Sequence, residues 1–226
     1  MVSPEQISDA RHDINSRLLW WFEHHQREFP WRETSDAFHI LLAEKLLQQT
    51  KARDLVIDIY TTLLQRYPSP EELAEANLAT LSDIVKPLGL VYRAQELKSM
   101  ASEIVKVYNH RIPSEFEQLM KLPGVGDYCA RAVLSFSYKQ RIAIVDTNVA
   151  RWLHRMCGIN QPIPANPARK KYLYDLANAL LPDERVRDFN LAILDLCALV
   201  CKPKNPECFR CPAQPYCDYG RKAVLD

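Results

Sequence analysis

Glycine is scarce in this chain of 226 residues, and the scarcity is the first guide to its fold. Only five glycines occur, at positions 89, 124, 126, 158 and 220, too few for a β-rich chain with many tight turns. No apolar run approaches the roughly 20 residues that a membrane-spanning helix needs. The amino-terminal segment has no apolar stretch typical of a secretion signal. These absences predict a helical protein of the cytoplasm that does not span a membrane.

The remaining composition is that of an ordinary globular protein, with 47% hydrophobic and 25% charged residues. In a reducing compartment its seven cysteines are not expected to pair as disulfides. Helical periodicity predicts an all-α fold. The periodic segments are 8–28, 35–50, 52–67, 70–76, 78–87, 92–109, 114–121, 127–138, 147–157, 167–181 and 187–200.

Basic residues are concentrated in one stretch, although the formal net charge of the chain is only +1. Between residues 128 and 171 the single acid is Asp146. The basic residues there are Arg131, Lys139, Arg141, Arg151, Arg155, Arg169, Lys170 and Lys171. This excess indicates either a surface for a polyanion or a solvated basic face.

Four cysteines close to the carboxyl end follow the spacing C-x6-C-x2-C-x5-C. They are Cys201, Cys208, Cys211 and Cys217. Four thiolates suit zinc or an iron–sulfur cluster, and the single C-x2-C pair favours a [4Fe–4S] cluster that folds the tail. Lys202 and Lys204 lie inside the first loop of this pattern, where they would either contact phosphate or remain solvated. Cys129, Cys157 and Cys197 lie in apolar helical patterns and are interpreted as core residues.

Two of the five glycines fall in Leu122-Pro123-Gly124-Val125-Gly126, between two helical segments. Glycines at 124 and 126 would let the backbone amides of Gly124, Val125 and Gly126 approach a phosphate, and the following helix adds its partial positive charge. The pattern predicts a helix–hairpin–helix. The simpler alternative is a glycine cap between two helices.

About twenty residues later, the apolar run Ile142–Val145 ends at one carboxylate, Asp146, followed by Thr147 and Asn148. A negative charge is stabilised at the start of a helix. Asp146 is therefore either a helix cap or a functional carboxylate, and its position after the hairpin favours function.

Together, these motifs resemble the endonuclease III superfamily of DNA glycosylases over nearly the whole chain. The resemblance implies two helical lobes, with the substrate base flipped into a cleft between them. One lobe is a six-helix barrel that contains the hairpin, formed by residues 30–139. The other is a cluster lobe formed by residues 1–29 and 140–226, with the cluster loop at 201–217. Asp146 matches the catalytic aspartate of the family. The implied partner is double-stranded DNA containing a mispair, bound by a monomer.

The position two residues beyond the second hairpin glycine separates branches of this superfamily. Bifunctional members have a lysine there that forms a Schiff base with the sugar, whereas this chain has Tyr128. Lys121 and Lys139 do not occupy that position. Tyrosine here resembles the thymine-DNA glycosylases of thermophilic archaea, which implies hydrolytic removal of thymine or uracil opposite guanine. An ordinary core role is the alternative for Tyr128.

Two other readings remain open. Residues 30–32 and 43–50 resemble the adenine-specific mismatch branch, in which Glu44 would protonate the purine and which usually continues into a further carboxyl-terminal domain. The resemblance also places Gln48 and Leu90 where side chains fill the gap left by the flipped nucleotide, although that branch usually has tyrosine at the second position. A non-catalytic iron–sulfur DNA-binding module would need the hairpin and the cysteines but not Asp146.

Overall fold

The computed structural model describes residues 4–48, 50, 53–89 and 92–223, and within these ranges it contains helices and no strand. The predicted all-α class is confirmed. Leu90, one of the predicted gap-filling residues, lies outside the described residues. Across the described ranges, no helix has both the length and the apolar character to cross a membrane.

Twelve α-helices follow one another along the described chain, and each predicted periodic segment overlaps one of them. They are α1 (Pro4–His25), α2 (Ala37–Leu47), α3 (Arg53–Arg66), α4 (Pro70–Glu75), α5 (Leu78–Val85), α6 (Arg93–Val107), α7 (Phe116–Leu119), α8 (Asp127–Phe136), α9 (Thr147–Cys157), α10 (Lys171–Leu180), α11 (Val186–Leu199) and α12 (Asp218–Ala223). The predicted periodic segments end at residue 200, so α12, which lies in the cysteine-rich tail, was not predicted.

The chain divides into two compact units, one made of Glu28–Tyr138 and the other of Met1–Arg27 with Lys139–Asp226. In the first unit, α2 is the central helix. Its residues 40–46 are all buried, as expected for a helix that is apolar on nearly every side. Helices α3 and α8 pack against α2, while α6 packs against α4 and α5.

The second unit joins both ends of the chain. Helix α1 packs against α10 and α11, and α9 contacts α10, α11 and α12. One face of α9 is strongly apolar, and Trp152, Leu153 and Met156 on it are almost fully buried. This packing fixes the start of α9, where Asp146 lies.

A buried ion pair stabilises this second unit. Asp195 of α11 is fully buried, and its carboxylate accepts hydrogen bonds from Arg27 Nε at 2.5 Å and from the Arg27 backbone N–H at 3.0 Å. A carboxylate removed from water needs such compensation, and it becomes costly when a partner is lost.

We expect Arg27→Met to lower the free energy of unfolding by about 3 kcal/mol, because it removes the guanidinium that faces a buried carboxylate. Arg11→Met is the matched control, since Arg11 lies on α1 in the same unit and pairs with the exposed Asp183 at 3.0 Å. Exposed pairs contribute less than about 1 kcal/mol. Urea unfolding measures both, and equal losses in the two variants would contradict the assignment.

Candidate functional site

The predicted hairpin connects α7 to α8. Leu122 and Val125 are buried and hold the turn to the first unit, and the Val125 N–H donates to the Leu122 carbonyl at 3.1 Å. Gly126 is the N-cap residue of α8. The amides of the first helical turn have no intrahelical acceptor. The hairpin therefore presents backbone donors next to the positive end of a helix dipole.

The two hairpin glycines are required for different reasons. Gly124 has a left-handed φ of +69°, and a Cβ there would come within 2.4 Å of Lys45 Nζ and 2.8 Å of Glu96 Oε2. Gly126 has an extended backbone with φ −105°, and a Cβ there would meet no atom within 4 Å. The protein itself thus requires glycine at 124, whereas at 126 the open space is available to an approaching ligand.

Tyr128 and Glu44 both belong to this first unit. Tyr128 is the second residue of α8 and is half-buried. Glu44 lies on α2 and is only 7% exposed. Helix α2 packs against α8. Burial raises the pKa of Cys129 on α8, and the charge of Glu44 raises it further. Glu44 is therefore a core carboxyl and not a solvated helix acid.

Gln48 follows the last residue of α2 and is held from two directions. Its side-chain oxygen accepts from Lys45 Nζ at 3.2 Å, and its backbone carbonyl accepts from Arg93 Nη2 at 2.5 Å. Arg93 is 2% exposed and also donates to the Leu46 carbonyl at 2.8 Å. Neither cation was predicted from the sequence, although a lysine inside an almost entirely apolar helix was a signal that Lys45 is buried.

Asp146 is the N-cap residue of α9. Its Oδ1 accepts from the Val149 N–H at 2.7 Å, and its Oδ2 accepts from Asn148 Nδ2 at 2.8 Å. The carboxylate remains half-exposed. The capping role considered for this residue is therefore present, and it leaves an oriented carboxylate accessible from outside.

A chain of hydrogen bonds connects Asp146 to the cysteine tail. Arg151 is 8% exposed, and its Nη1 donates to Asn148 Oδ1 at 3.0 Å. Its Nε and Nη2 donate to the Cys201 carbonyl at 3.2 and 3.0 Å. Counting charges could not reveal this role, because it depends on which face of α9 is buried.

The four predicted cysteine ligands line a single small cavity. Burial raises the pKa of Cys211 to about 12 and that of Cys217 to about 11. Arg155 Nη1 donates to Cys201 Sγ at 3.2 Å, and the Gly220 N–H donates to Cys217 Sγ at 3.3 Å. Donors directed at sulfur stabilise thiolates, which are the form that binds metals.

Among the described residues, no three His, Cys, Asp or Glu side chains are placed to hold one metal ion. The four thiols nevertheless line one cavity, and donors are directed at two of their sulfurs. Such a donor set suits a thiolate-bound group, either zinc or an iron–sulfur cluster. The buried state of Cys129, Cys157 and Cys197 agrees with their interpretation as core residues.

Two predicted phosphate contacts differ in their surroundings. Lys202 forms an ion pair with Glu207, and the Lys202 and Arg210 hydrogen bonds hold the pKa of Glu207 below its usual range. Lys204 is exposed.

Arg155 donates to the Lys202 carbonyl at 2.7 Å and to the Pro203 carbonyl at 3.0 Å. Arg151 and Arg155 thus donate to the tail, and a phosphate-binding role for the basic residues of 128–171 stays a prediction.

Comparison with known proteins identifies the class. Residues 42–195 match the family described as HhH-GPD superfamily base excision DNA repair protein. This region contains the hairpin and Asp146, and it covers more than half of the chain. The chain therefore belongs to the HhH-GPD superfamily.

Individual relatives show which members of the superfamily this chain is similar to. The chain is 36% identical to a thymine/uracil-DNA glycosylase of Pyrobaculum aerophilum over 91% of this chain and 90% of that protein. It is also 36% identical to an adenine DNA glycosylase of Mycobacterium tuberculosis, over 93% of this chain and 69% of that protein. The solved structure of a thermostable thymine-DNA glycosylase superposes with a TM-score of 0.87 at 32% identity, covering 95% of this chain and 98% of the other.

Proposed function

We propose that this protein is a DNA glycosylase that removes thymine or uracil mispaired with guanine and hydrolyses the N-glycosidic bond with water. The observation that carries the proposal is the Asp146 carboxylate, fixed by two hydrogen bonds at the start of α9 and still half-exposed. The thymine/uracil-DNA glycosylase relative, which this chain matches over nearly its full length, supports the choice of base.

Cleavage of the bond between the deoxyribose and the base requires a fixed negative charge close to the sugar. Positive charge develops on the deoxyribose as its bond to the base breaks, and an oriented carboxylate close to the sugar stabilises that charge and helps to activate water. Thymine and uracil leave as anions at N1, so no acid has to protonate the ring first. Asp146 supplies the carboxylate, and its bonds to Val149 and Asn148 limit its reorientation during the reaction.

Tyr128 supports a reaction without strand cleavage. A phenol cannot form a Schiff base with the sugar, so the sequence position used by a nucleophilic lysine in bifunctional members has no amine here. We expect the product to be an intact strand bearing an abasic site. The amides of Gly124 and Gly126 and the Lys204 ammonium would contact the phosphates of the duplex, with Lys202 doing so after release from Glu207. The Val125 amide, also predicted to bind phosphate, already donates to the Leu122 carbonyl, so Val125 would instead anchor the hairpin.

The four tail cysteines would hold a [4Fe–4S] cluster, whose contribution is to fold the tail around thiolate ligands. Arg155 and the Gly220 amide would then donate to cluster-bound sulfur. In this proposal residues 30–139 form the six-helix barrel lobe, and residues 1–29 with 140–226 form the cluster lobe. The protein would act on duplex DNA as a monomer.

Adenine opposite guanine is the second candidate substrate, because Glu44 is buried on α2 and adenine DNA glycosylases are among the relatives. In that reaction Glu44 would donate a proton to the purine before it leaves. A panel of duplexes with thymine, uracil or adenine opposite guanine separates the two candidates. We expect release of thymine and uracil, and release of adenine alone would favour the second.

Replacing Asp146 with Asn should reduce the single-turnover rate of base release by at least about a hundredfold, because the charge opposite the sugar is lost. Asparagine is an equally good N-cap, so folding and duplex affinity should persist. The matched control is Asp36→Asn at the N-cap of α2, where the side chain accepts from the His39 N–H at 2.9 Å. Binding without release by the unmodified protein would indicate a non-catalytic DNA-binding module.

Borohydride trapping tests the reaction class. We expect no covalent complex with the unmodified protein and strand cleavage only after alkali or heat. Tyr128→Lys places an amine where bifunctional members have one, and it should produce a detectable trapped complex. Efficient trapping by the unmodified protein would falsify the monofunctional assignment.

Iron analysis tests the cofactor. Protein purified without oxygen should be brown, absorb at about 400 nm and contain about four irons per chain. Cys208→Ala should lower both iron content and duplex affinity, because metal binding and folding of the tail are coupled. Cys129→Ala is the control, since Cys129 is buried in the other unit. Stoichiometric zinc without iron would contradict the prediction.

A further inference from the structure

Lys45 is a lysine in the interior of the first unit, with only 1% of its side chain exposed. Its ammonium donates to the Gly124 carbonyl at 2.6 Å, to Glu96 Oε2 at 3.0 Å and to Gln48 Oε1 at 3.2 Å. An ammonium has three N–H donors and no acceptor. All three donors are therefore used, and they connect three different segments of the chain.

The contact with Gln48 decides which way its amide points. Because the ammonium can only donate, it binds the carbonyl end of the amide and leaves the NH₂ end on the other side. Arg93 holds the backbone carbonyl of the same residue at 2.5 Å. Both the backbone carbonyl and the side-chain carbonyl of Gln48 are thus held by buried cations, and the side-chain NH₂ is the donor that remains opposite the Lys45 contact.

The contact with Gly124 connects this residue to the hairpin. The Gly124 carbonyl approaches so closely that a Cβ on Gly124 would lie 2.4 Å from Lys45 Nζ and 2.8 Å from Glu96 Oε2. A side chain at 124 would have to displace these two side-chain ends, and the left-handed φ of +69° strains any residue other than glycine. A displacement of the hairpin backbone would therefore move the ammonium, and the ammonium in turn holds Gln48.

We propose that Lys45 is a positioning residue that couples the DNA-backbone contact at the hairpin to the insertion of Gln48 into the base stack. The proposal rests on the proposed function for the roles of the hairpin and Gln48. Lys45 itself touches neither the base nor the sugar. It fixes the distance between the phosphate-binding hairpin and the gap-filling side chain of Gln48, so that both contacts with DNA form together.

A merely structural role would make different predictions. If the Lys45–Glu96 pair only anchored α2 to α6, replacing Lys45 would lower stability without a specific effect on bound DNA. Lys98 provides the comparison, because it also lies in the first unit and donates to a backbone carbonyl, that of Ala76, at 2.6 Å. Lys45→Met and Lys98→Met are therefore matched variants, and methionine conserves most of the lysine volume.

The experiment combines Lys45→Met, Gln48→Ala and the double variant in a thermodynamic cycle. Single-turnover base release is measured, together with the fluorescence of 2-aminopurine placed next to the mispair at saturating protein. Each single variant should slow release about tenfold and lose most of the fluorescence rise, and the double variant should slow it no further. Lys98→Met should change release by less than about twofold. Urea unfolding reports stability separately.

Additive losses, about a hundredfold in the double variant, would overturn the proposal. So would an unchanged fluorescence rise in Lys45→Met or in Gln48→Ala. If the unmodified protein releases no base from any duplex, the proposed function fails, and the fluorescence measurement, which needs only binding, still decides the role of Lys45. If Lys45→Met does not fold, Glu96→Gln replaces it in the cycle. Glu96→Gln should slow base release about threefold, and this loss should again not add to that of Gln48→Ala.

Discussion

A charge removed from water has to be matched by an opposite charge or by hydrogen bonds, and this requirement organises the structure. Among the described residues, five charged side chains are buried: Glu44, Lys45, Arg93, Arg151 and Asp195. Lys45 and Arg93 bind Gln48, and Arg151 binds Asn148, which in turn binds Asp146. Residues proposed to act on DNA are therefore positioned by polar contacts inside the apolar core.

Helix α9 shows how one element serves both fold and chemistry. Its N-cap is Asp146, its apolar face packs into the second unit, and Arg151 on the same helix donates to the carbonyl of Cys201. The carboxylate and the first cysteine of the tail are thus connected through one rigid helix. The tail and the proposed catalytic group belong to a single folded unit, although 55 residues of sequence separate them.

Much of this could be predicted from the sequence, because the signals are local. Helical periodicity depends on side chains three and four residues apart, and the cap at Asp146 depends on its immediate neighbours. The hydrogen-bond partners of Lys45, Arg151 and Arg155 could not be predicted, because the decisive ones are distant in the sequence. The Lys202–Glu207 pair was also missed, since charge counting does not show which charges are already paired. The roles of individual site residues stay predictions.

The two hairpin glycines have a consequence for mutational screening. Gly124 combines a left-handed backbone with the close approach of Lys45, so a side chain at 124 disturbs the protein whether or not DNA is present. Gly126 has neither constraint, and its surroundings are open. A screen that selects for folded protein would therefore tolerate substitutions at 126 and reject them at 124. A screen that selects for repair would reject both, and the difference between the two screens would map the surface that DNA touches.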